Sequence, residues 1–161
     1  MVENLCCKND LANGKKRYNL INIKSAQFDR IAYKHFKGWL VSEWSNVEQM
    51  YDEDTRQLPM PLLAFENDLL VGGMSFILYN RPDTSTETIW INTVYVTPDY
   101  RGKGVASLLI RSAEEVVTHW HQSEMYVFRD KPGLYNKLGW HLLIEEDEGF
   151  VLNKQLIEKL K

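Results

Sequence analysis

Residues 94–106 read Val-Tyr-Val-Thr-Pro-Asp-Tyr-Arg-Gly-Lys-Gly-Val-Ala. A β-branched run ends at Pro98, a short polar turn follows, and Arg101-Gly102-Lys103-Gly104-Val105-Ala106 opens a helical pattern. A strand feeding a Gly-rich turn and a helix start makes an anion site from backbone N–H groups and the helix dipole. Gly102 and Gly104 let the backbone approach a phosphate where a Cβ would block it. Arg101 and Lys103 add positive charge beside those amides. The pattern points to a phosphate-bearing ligand. It is not a P-loop, because Lys103 lies between the glycines instead of after them. Nor is it a dinucleotide fingerprint, because Ser107 stands where the third glycine would be.

Outward from this stretch, residues 89–96 read as a strand rich in Ile, Val, Thr, Trp and Tyr. Downstream, Val105, Leu108, Leu109, Ala113, Val116, Val117 and Trp120 form an apolar stripe at helical spacing over 104–120. A short strand at 125–128 follows. Pro132 then opens a helix that runs to Leu138 and ends at Gly139. Residues 140–144 and 150–153 form a terminal hairpin around an acidic turn. Upstream, 62–65 and 69–78 read as strands joined by Glu66-Asn67-Asp68, and Gly72-Gly73 marks a bend or a close backbone contact. Residues 80–86 form a turn-rich loop. Residues 18–23 alternate as a strand, and Ser25 caps a helix over 26–37. Gly38 breaks that helix, and 39–45 form a second short one. Residues 46–58 are polar and acidic, a long loop or loose helix.

The 161 residues fit one domain, read here as 18–161 behind a flexible leader over 1–17. A hydrophobic fraction of 44% with 12% aromatics supplies a proper core and argues against disorder. A net charge of −3 and a pI near 5.8 argue against broad nucleic-acid affinity and suit a cationic acceptor such as an amine. No apolar run approaches the ~20 residues of a membrane span. The N-terminus lacks the long apolar stretch of a secretory signal. Cys6 and Cys7 are the only cysteines; adjacent thiols are poor disulfide partners, so the expected compartment is a reducing cytoplasm. No second pair completes a metal site. His119 and His121 flank Trp120 on different sides of a helix and read as surface or capping residues, as do His35 and His141.

Arg101, Gly104 and Ala106 fill the fixed positions of the [Q/R]-x-x-G-x-[G/A] acyl-CoA loop, so the stretch resembles that of the GNAT acetyltransferase superfamily. A second signature of that superfamily, aromatic-Tyr-x-Lys-x-Gly-aromatic, is similar to Leu134-Tyr135-Asn136-Lys137-Leu138-Gly139-Trp140, with Leu134 in place of the first aromatic. One helix and one strand separate the two, in the family order. The resemblance implies an α/β fold: a mixed, mostly antiparallel sheet of roughly six or seven strands, splayed in the middle, with about four flanking helices.

It also implies an N-acetyltransferase moving an acetyl group from acetyl-CoA to a primary amine, of a small molecule or a peptide, by direct attack in a ternary complex. By position, Val94, Tyr95 and Val96 would hold the pantetheine arm as an added strand. A backbone N–H near Val94 would polarise the thioester carbonyl. Arg101, Gly102, Lys103, Gly104, Val105 and Ala106 would hold the pyrophosphate, and Lys131 stands nearby. Tyr135 would be the general acid, since a phenol near ~10 can donate to a leaving thiolate near ~8.5. Trp39, Glu43, Asn92 and Thr93 are the acceptor-side candidates; Trp39 and Glu43, four apart, share a helix face as an ammonium pocket would need. Residues 89–93 carry no carboxylate, so water, a backbone relay and Glu43 all remain open as the route of deprotonation. No metal is implied, and the chain is read as a monomer or homodimer. Two rival readings are a non-catalytic acyl-CoA-binding sensor or partner subunit on the same fold, and a nucleotide-binding regulator.

Overall fold

The computed structural model describes residues 5–9, 17–44 and 58–157. Eight strands among them make one sheet: β1 (Leu5–Asn9), β2 (Arg17–Ser25), β3 (Leu62–Glu66), β4 (Leu69–Asn80), β5 (Glu87–Val96), β6 (Glu124–Arg129), β7 (His141–Glu146) and β8 (Gly149–Gln155). Their order is β1-β2-β3-β4-β5-β6-β8-β7, and every pairing is antiparallel except β5 with β6. Three helices accompany them: α1 (Arg30–Glu43), α2 (Val105–His119) and α3 (Gly133–Lys137), with short 3-10 turns at Ala26–Phe28 and Pro98–Tyr100. The architecture is the mixed, mostly antiparallel sheet expected, with one strand more and one helix fewer.

The extra strand is β1, inside the stretch read as a leader. Leu5 faces Ile21 and Asn9 faces Arg17 across a regular antiparallel ladder. Pairing to the open edge of β2 uses backbone groups, so it needs no alternation of side chains. The missing helix reflects Gly38. It lies inside α1, with open space where a Cβ would stand, and the buried stripe Ala32, Tyr33, Phe36, Leu40 continues past it at helical spacing. Packing outweighs the ~1 kcal/mol that an interior glycine costs. Asp29, not Ser25, caps this helix, its Oδ1 accepting from the Ala32 N–H at 2.9 Å. The stretch 46–58 lies outside the described residues but for Leu58. Trp120, expected on the α2 stripe, stands exposed just past the helix end.

The two long helices cover opposite faces of the sheet. Leu62 and Ala64 of β3 join the core under α2, with Leu109, Ala113 and Val117, while Leu63 and Phe65 join Phe36 and Leu40 of α1. Alternation along a strand sends neighbours to opposite sides, so β3 is apolar from Leu62 to Phe65 because both its faces are buried there. A smaller cluster, Trp90 with Tyr126 and Val151, lies on the α1 side of the sheet.

Two features of β5 position everything that follows. Ser75 pairs with Thr93 but Phe76 pairs with Ile91, so Asn92 is an inserted residue, a β-bulge. The bulge shifts the alternation by one. Ile89 and Ile91, then Val94 and Val96, face α2, whereas Tyr95 packs with the α1 cluster. Moreover, β5 pairs with β6 only at Trp90↔Tyr126 and Ile91↔Val127. Beyond Ile91 the two strands part, and the sheet is splayed as expected.

Gly72 and Gly73 mark close contacts. A Cβ on Gly72 would stand 2.7 Å from the Tyr95 carbonyl oxygen, and one on Gly73 2.6 Å from the Phe36 ring. Gly72→Ala is expected to destabilise by about 1–3 kcal/mol through overpacking against rigid backbone. Gly38→Ala, into open space within a helix, is expected to stabilise by about 0.5–1 kcal/mol. Thermal melts of the two variants, moving in opposite directions, check both.

Candidate active site

The chain leaves β5 through a hydrogen-bonded corner. Thr97 donates its backbone N–H and its hydroxyl to the Val71 carbonyl, at 2.9 and 3.2 Å. Pro98 opens the 3-10 turn, and the Tyr100 hydroxyl bonds to the Glu66 carboxylate, a contact that raises the phenol's pKa. Gly102 (φ 74°) and Gly104 (φ 84°) both adopt the left-handed conformation that side chains disfavour. Gly104 is the N-cap of α2 and offers no side chain to it. The first α2 hydrogen bond runs from Leu108 N–H back to the Gly104 carbonyl at 3.1 Å. The N–H groups of Val105, Ala106 and Ser107 therefore have no partner within the helix.

Those amides open on a cleft of about 580 Å³ bounded by Val94 and Val96 of β5, the glycine turn, Arg129 and α3. Arg101, Arg129, Lys131 and Lys137 line it, with no carboxylate among the described lining residues. In a chain of net charge −3 this is a local concentration of positive charge. The cleft thus suits a polyanion.

The edge of β5 that faces the cleft is bracketed. Arg129 Nη1 donates to the Asn92 carbonyl at 3.0 Å and to the Phe128 carbonyl at 2.9 Å. Arg101 Nε donates to the Val96 carbonyl at 2.9 Å. Thr97 N–H points the other way, to β4, so alternation turns the N–H and C=O of Val94 outward between the two arginines.

Tyr135 stands across the cleft on α3, buried to 3% exposure, and its hydroxyl makes no hydrogen bond to the protein. Burial raises its pKa, and the Arg129 guanidinium, 5.7 Å from the ring, pulls the other way. The phenol therefore keeps its proton through the neutral range. Trp140 packs edge-on against the ring at 5.3 Å, and its backbone N–H bonds the Tyr135 carbonyl at 2.9 Å. The Trp140 indole N–H in turn donates to Glu114 Oε1 of α2 at 2.9 Å. Glu114 fixes Trp140, and Trp140 fixes the phenol.

The structure gathers Val94, Val96, Arg101, Gly102, Gly104, Val105, Ala106 and Tyr135 around one cleft, and adds Ser107 and Lys131. Two of the cofactor-side candidates point elsewhere. Tyr95 turns to the opposite face, where its ring lies 5.5 Å from Trp39. Lys103 Nζ lies 5.0 Å over the Tyr100 ring. The acceptor-side candidates are dispersed. Glu43 ends α1 in solvent, and the Thr93 hydroxyl is buried 2.7 Å from that of Ser75. Asn92 lines a second cavity, which Arg129 shares with the first. Arg129 and Glu114 were not found from the sequence, since their contacts span 37 and 26 residues. Among the described residues no three His, Cys, Asp or Glu side chains come together as a metal site.

The chain belongs to the acetyltransferase (GNAT) family, whose model matches residues 25–140. Its fold is similar to that of an aminoglycoside 6'-acetyltransferase type Ii, at 16% identity and TM-score 0.66 over 86% of this chain and 99% of that one. It is also similar to Arabidopsis thaliana Naa50 in complex with a bisubstrate analogue, CoA-Ac-MVNAL, at 18% identity and TM-score 0.59 over 84% and 98% of the two chains. A third likeness is to a PaiA N-acetyltransferase from Thermoplasma acidophilum in complex with coenzyme A, at 16% identity and TM-score 0.57 over 84% and 98%. At these identities the likeness is one of fold. No curated protein sequence matches.

Glu114 carries a pKa raised above its ordinary value, chiefly by burial, with the Trp140 bond, Lys154 and Arg111 opposing. A raised carboxyl contributes stability below the unfolded pKa and loses it as pH rises through the folded one. Glu114→Gln keeps an acceptor for the indole and removes the charge. Its melting temperature at pH 7 is expected to equal or exceed that of the parent, and the gap to narrow as pH falls below about 4. Melts at the two pH values check the sign.

Proposed function

We propose that this protein transfers the acetyl group of acetyl-CoA to a primary amine by direct attack in a ternary complex. The observation that carries the reading is Tyr135, a buried phenol with no hydrogen-bond partner on the same cleft as the cationic glycine turn and the open edge of β5. A buried hydroxyl left unpaired costs about 1–3 kcal/mol, which a ligand atom placed there would relieve. The amides at the start of α2, with Arg101 and Lys131, suit the pyrophosphate. The outward N–H and C=O of Val94 suit the pantetheine arm, added as a strand. When bound, acetyl-CoA supplies an activated thioester carbonyl and a thiolate leaving group. An N–H on the β5 edge then stabilises charge building on that carbonyl oxygen, and the Tyr135 phenol donates to the departing sulfur.

Purified protein with acetyl-CoA and a panel of primary amines is expected to release free thiol. Tyr135→Phe is expected to lower kcat by about 10²-fold while calorimetry shows coenzyme A binding little changed. Because burial raises the phenol, turnover should show no fall from its ionisation below pH ~10. The absence of a carboxylate on β5 from Ile89 to Val96 favours a second reading, an acyl-CoA sensor. Tight coenzyme A binding without thiol release on any amine would establish that one instead.

A further inference from the structure

Proton transfer from Tyr135 leaves a charge to be held. When the hydroxyl gives its proton to the departing sulfur, a phenolate stands where the side chain is 3% exposed and the oxygen has no hydrogen-bond partner in the protein. A buried anion without a counter-charge is costly. Burial is the main cause of the phenol's raised pKa, and the same burial opposes the transfer.

One cation is set to hold that charge. Arg129, at the end of β6, has its guanidinium carbon 5.7 Å from the centre of the Tyr135 ring. Its two hydrogen bonds both leave from Nη1 and end on neutral carbonyls, those of Asn92 and Phe128. No carboxylate among the described residues pairs with it, whereas Arg81 is paired with both Asp83 and Glu124. The guanidinium is thus fixed in place with its charge uncompensated. It is half-buried, so its field is screened less than that of a surface group. The other charged groups around the cleft are less well placed. Lys131 and Lys137 are exposed. Arg101 is exposed and bonded to the Val96 carbonyl, with its guanidinium 5.6 Å over the Tyr95 ring. Glu114 is held by the Trp140 indole, whose ring lies between it and the phenol.

We propose that Arg129 is the positioning residue of thiol release: its charge, anchored beside the ring by two backbone carbonyls, stabilises the Tyr135 phenolate that forms when sulfur takes the proton. This rests on the acetyltransferase reading above. With the pyrophosphate on the α2 amides, an arm along β5 runs from Val96 past Val94, and its thioester end comes to the fork that Arg129 pins. The neutral amine nitrogen attacks the thioester carbon. The C–S bond breaks with its electron pair going to sulfur, and the Tyr135 O–H proton passes to that sulfur. The phenolate then recovers a proton from the nitrogen of the new amide through water, so the cycle closes with no further reactant. The guanidinium exchanges no proton. A phenolate sustained in this way also takes the surplus proton of the amine, for which β5 offers no carboxylate.

A double-mutant cycle separates this role from one in folding or in holding the fork open. Arg129→Gln is expected to lower kcat at saturating acetyl-CoA by about tenfold when Tyr135 is present. In Tyr135→Phe protein the same change is expected to alter kcat by about twofold or less. Arg129→Lys keeps the charge and loses the planar grip on two carbonyls; it is expected to hold kcat within about threefold of the parent. An equal loss in both backgrounds would overturn the inference and leave the acetyltransferase reading standing. So would Arg129→Lys at about a tenth of the parent kcat or below, a result that decides the matter even where Arg129→Gln does not fold. Coenzyme A bound without thiol release on every amine would overturn both, as would failure to bind coenzyme A at all.

Discussion

The structure depends on β5 ceasing to pair with β6 after two residues. An unpaired sheet edge is ordinarily a hazard, because its N–H and C=O groups invite another strand. Here the edge is managed from both ends. Arg129 holds the Asn92 and Phe128 carbonyls together where the fork opens, and Arg101 closes on Val96 at the far end. Between them Val94 presents backbone groups to a cleft and not to bulk sheet. The splay is thus a fixed feature, pinned by three charge-assisted hydrogen bonds, each stronger than a neutral one.

The bulge at Asn92 sets which side chains share that cleft. With an uninterrupted alternation, Tyr95 would follow Ile91 onto the α2 face and Val94 would lie under α1. The inserted residue reverses this, so small Val94 and Val96 flank the cleft and bulky Tyr95 packs with Trp39. A tyrosine ring at the cleft would fill the space an extended ligand needs. The same residue opens the other face, where Asn92 lines the second cavity. One irregularity in the ladder therefore organises both sides of the sheet.

How much of this could be read from the sequence follows the range of the interactions. The β5–turn–α2 unit was legible because a β-branched run, Pro98 and two glycines signal it locally, and the α2 stripe repeats at helical spacing. The terminal hairpin and α3 were legible for the same reason. Asp29 displaced Ser25 as the cap because the choice turns on where α1 docks, which three residues of sequence do not reveal. Gly38 was read as a breaker because its intrinsic cost is local, while the Phe36 and Leu40 packing that outweighs it is not. At the site, Gly102, Gly104 and Tyr135 carried recognisable patterns. The faces of Tyr95 and Lys103, and the roles of Arg129 and Glu114, depend on the bulge and on contacts across the fold. No stretch of sequence announces those.

Tyr135 remains the most telling residue on energetic grounds. Its neighbours are well supplied: Trp140 has Glu114, and Arg129 has two carbonyls. On this cleft the phenol is buried without an acceptor, as the Trp90 indole N–H is on the other face of the sheet; Glu114 stands one side chain away and is already held by the Trp140 indole. A tyrosine serving only as filling would be replaced at no polar cost by phenylalanine of nearly the same shape. The orphaned hydroxyl is a standing penalty in the empty protein and becomes favourable once an acceptor arrives in the cleft. Burial adds to this by keeping the proton on the phenol, so what the site holds ready is a donor. A donor lining a cationic cleft that an open strand edge also lines is suited to a leaving group that gains negative charge as it departs. The fork, the bulge and the two arginines supply the geometry in which that departure would take place.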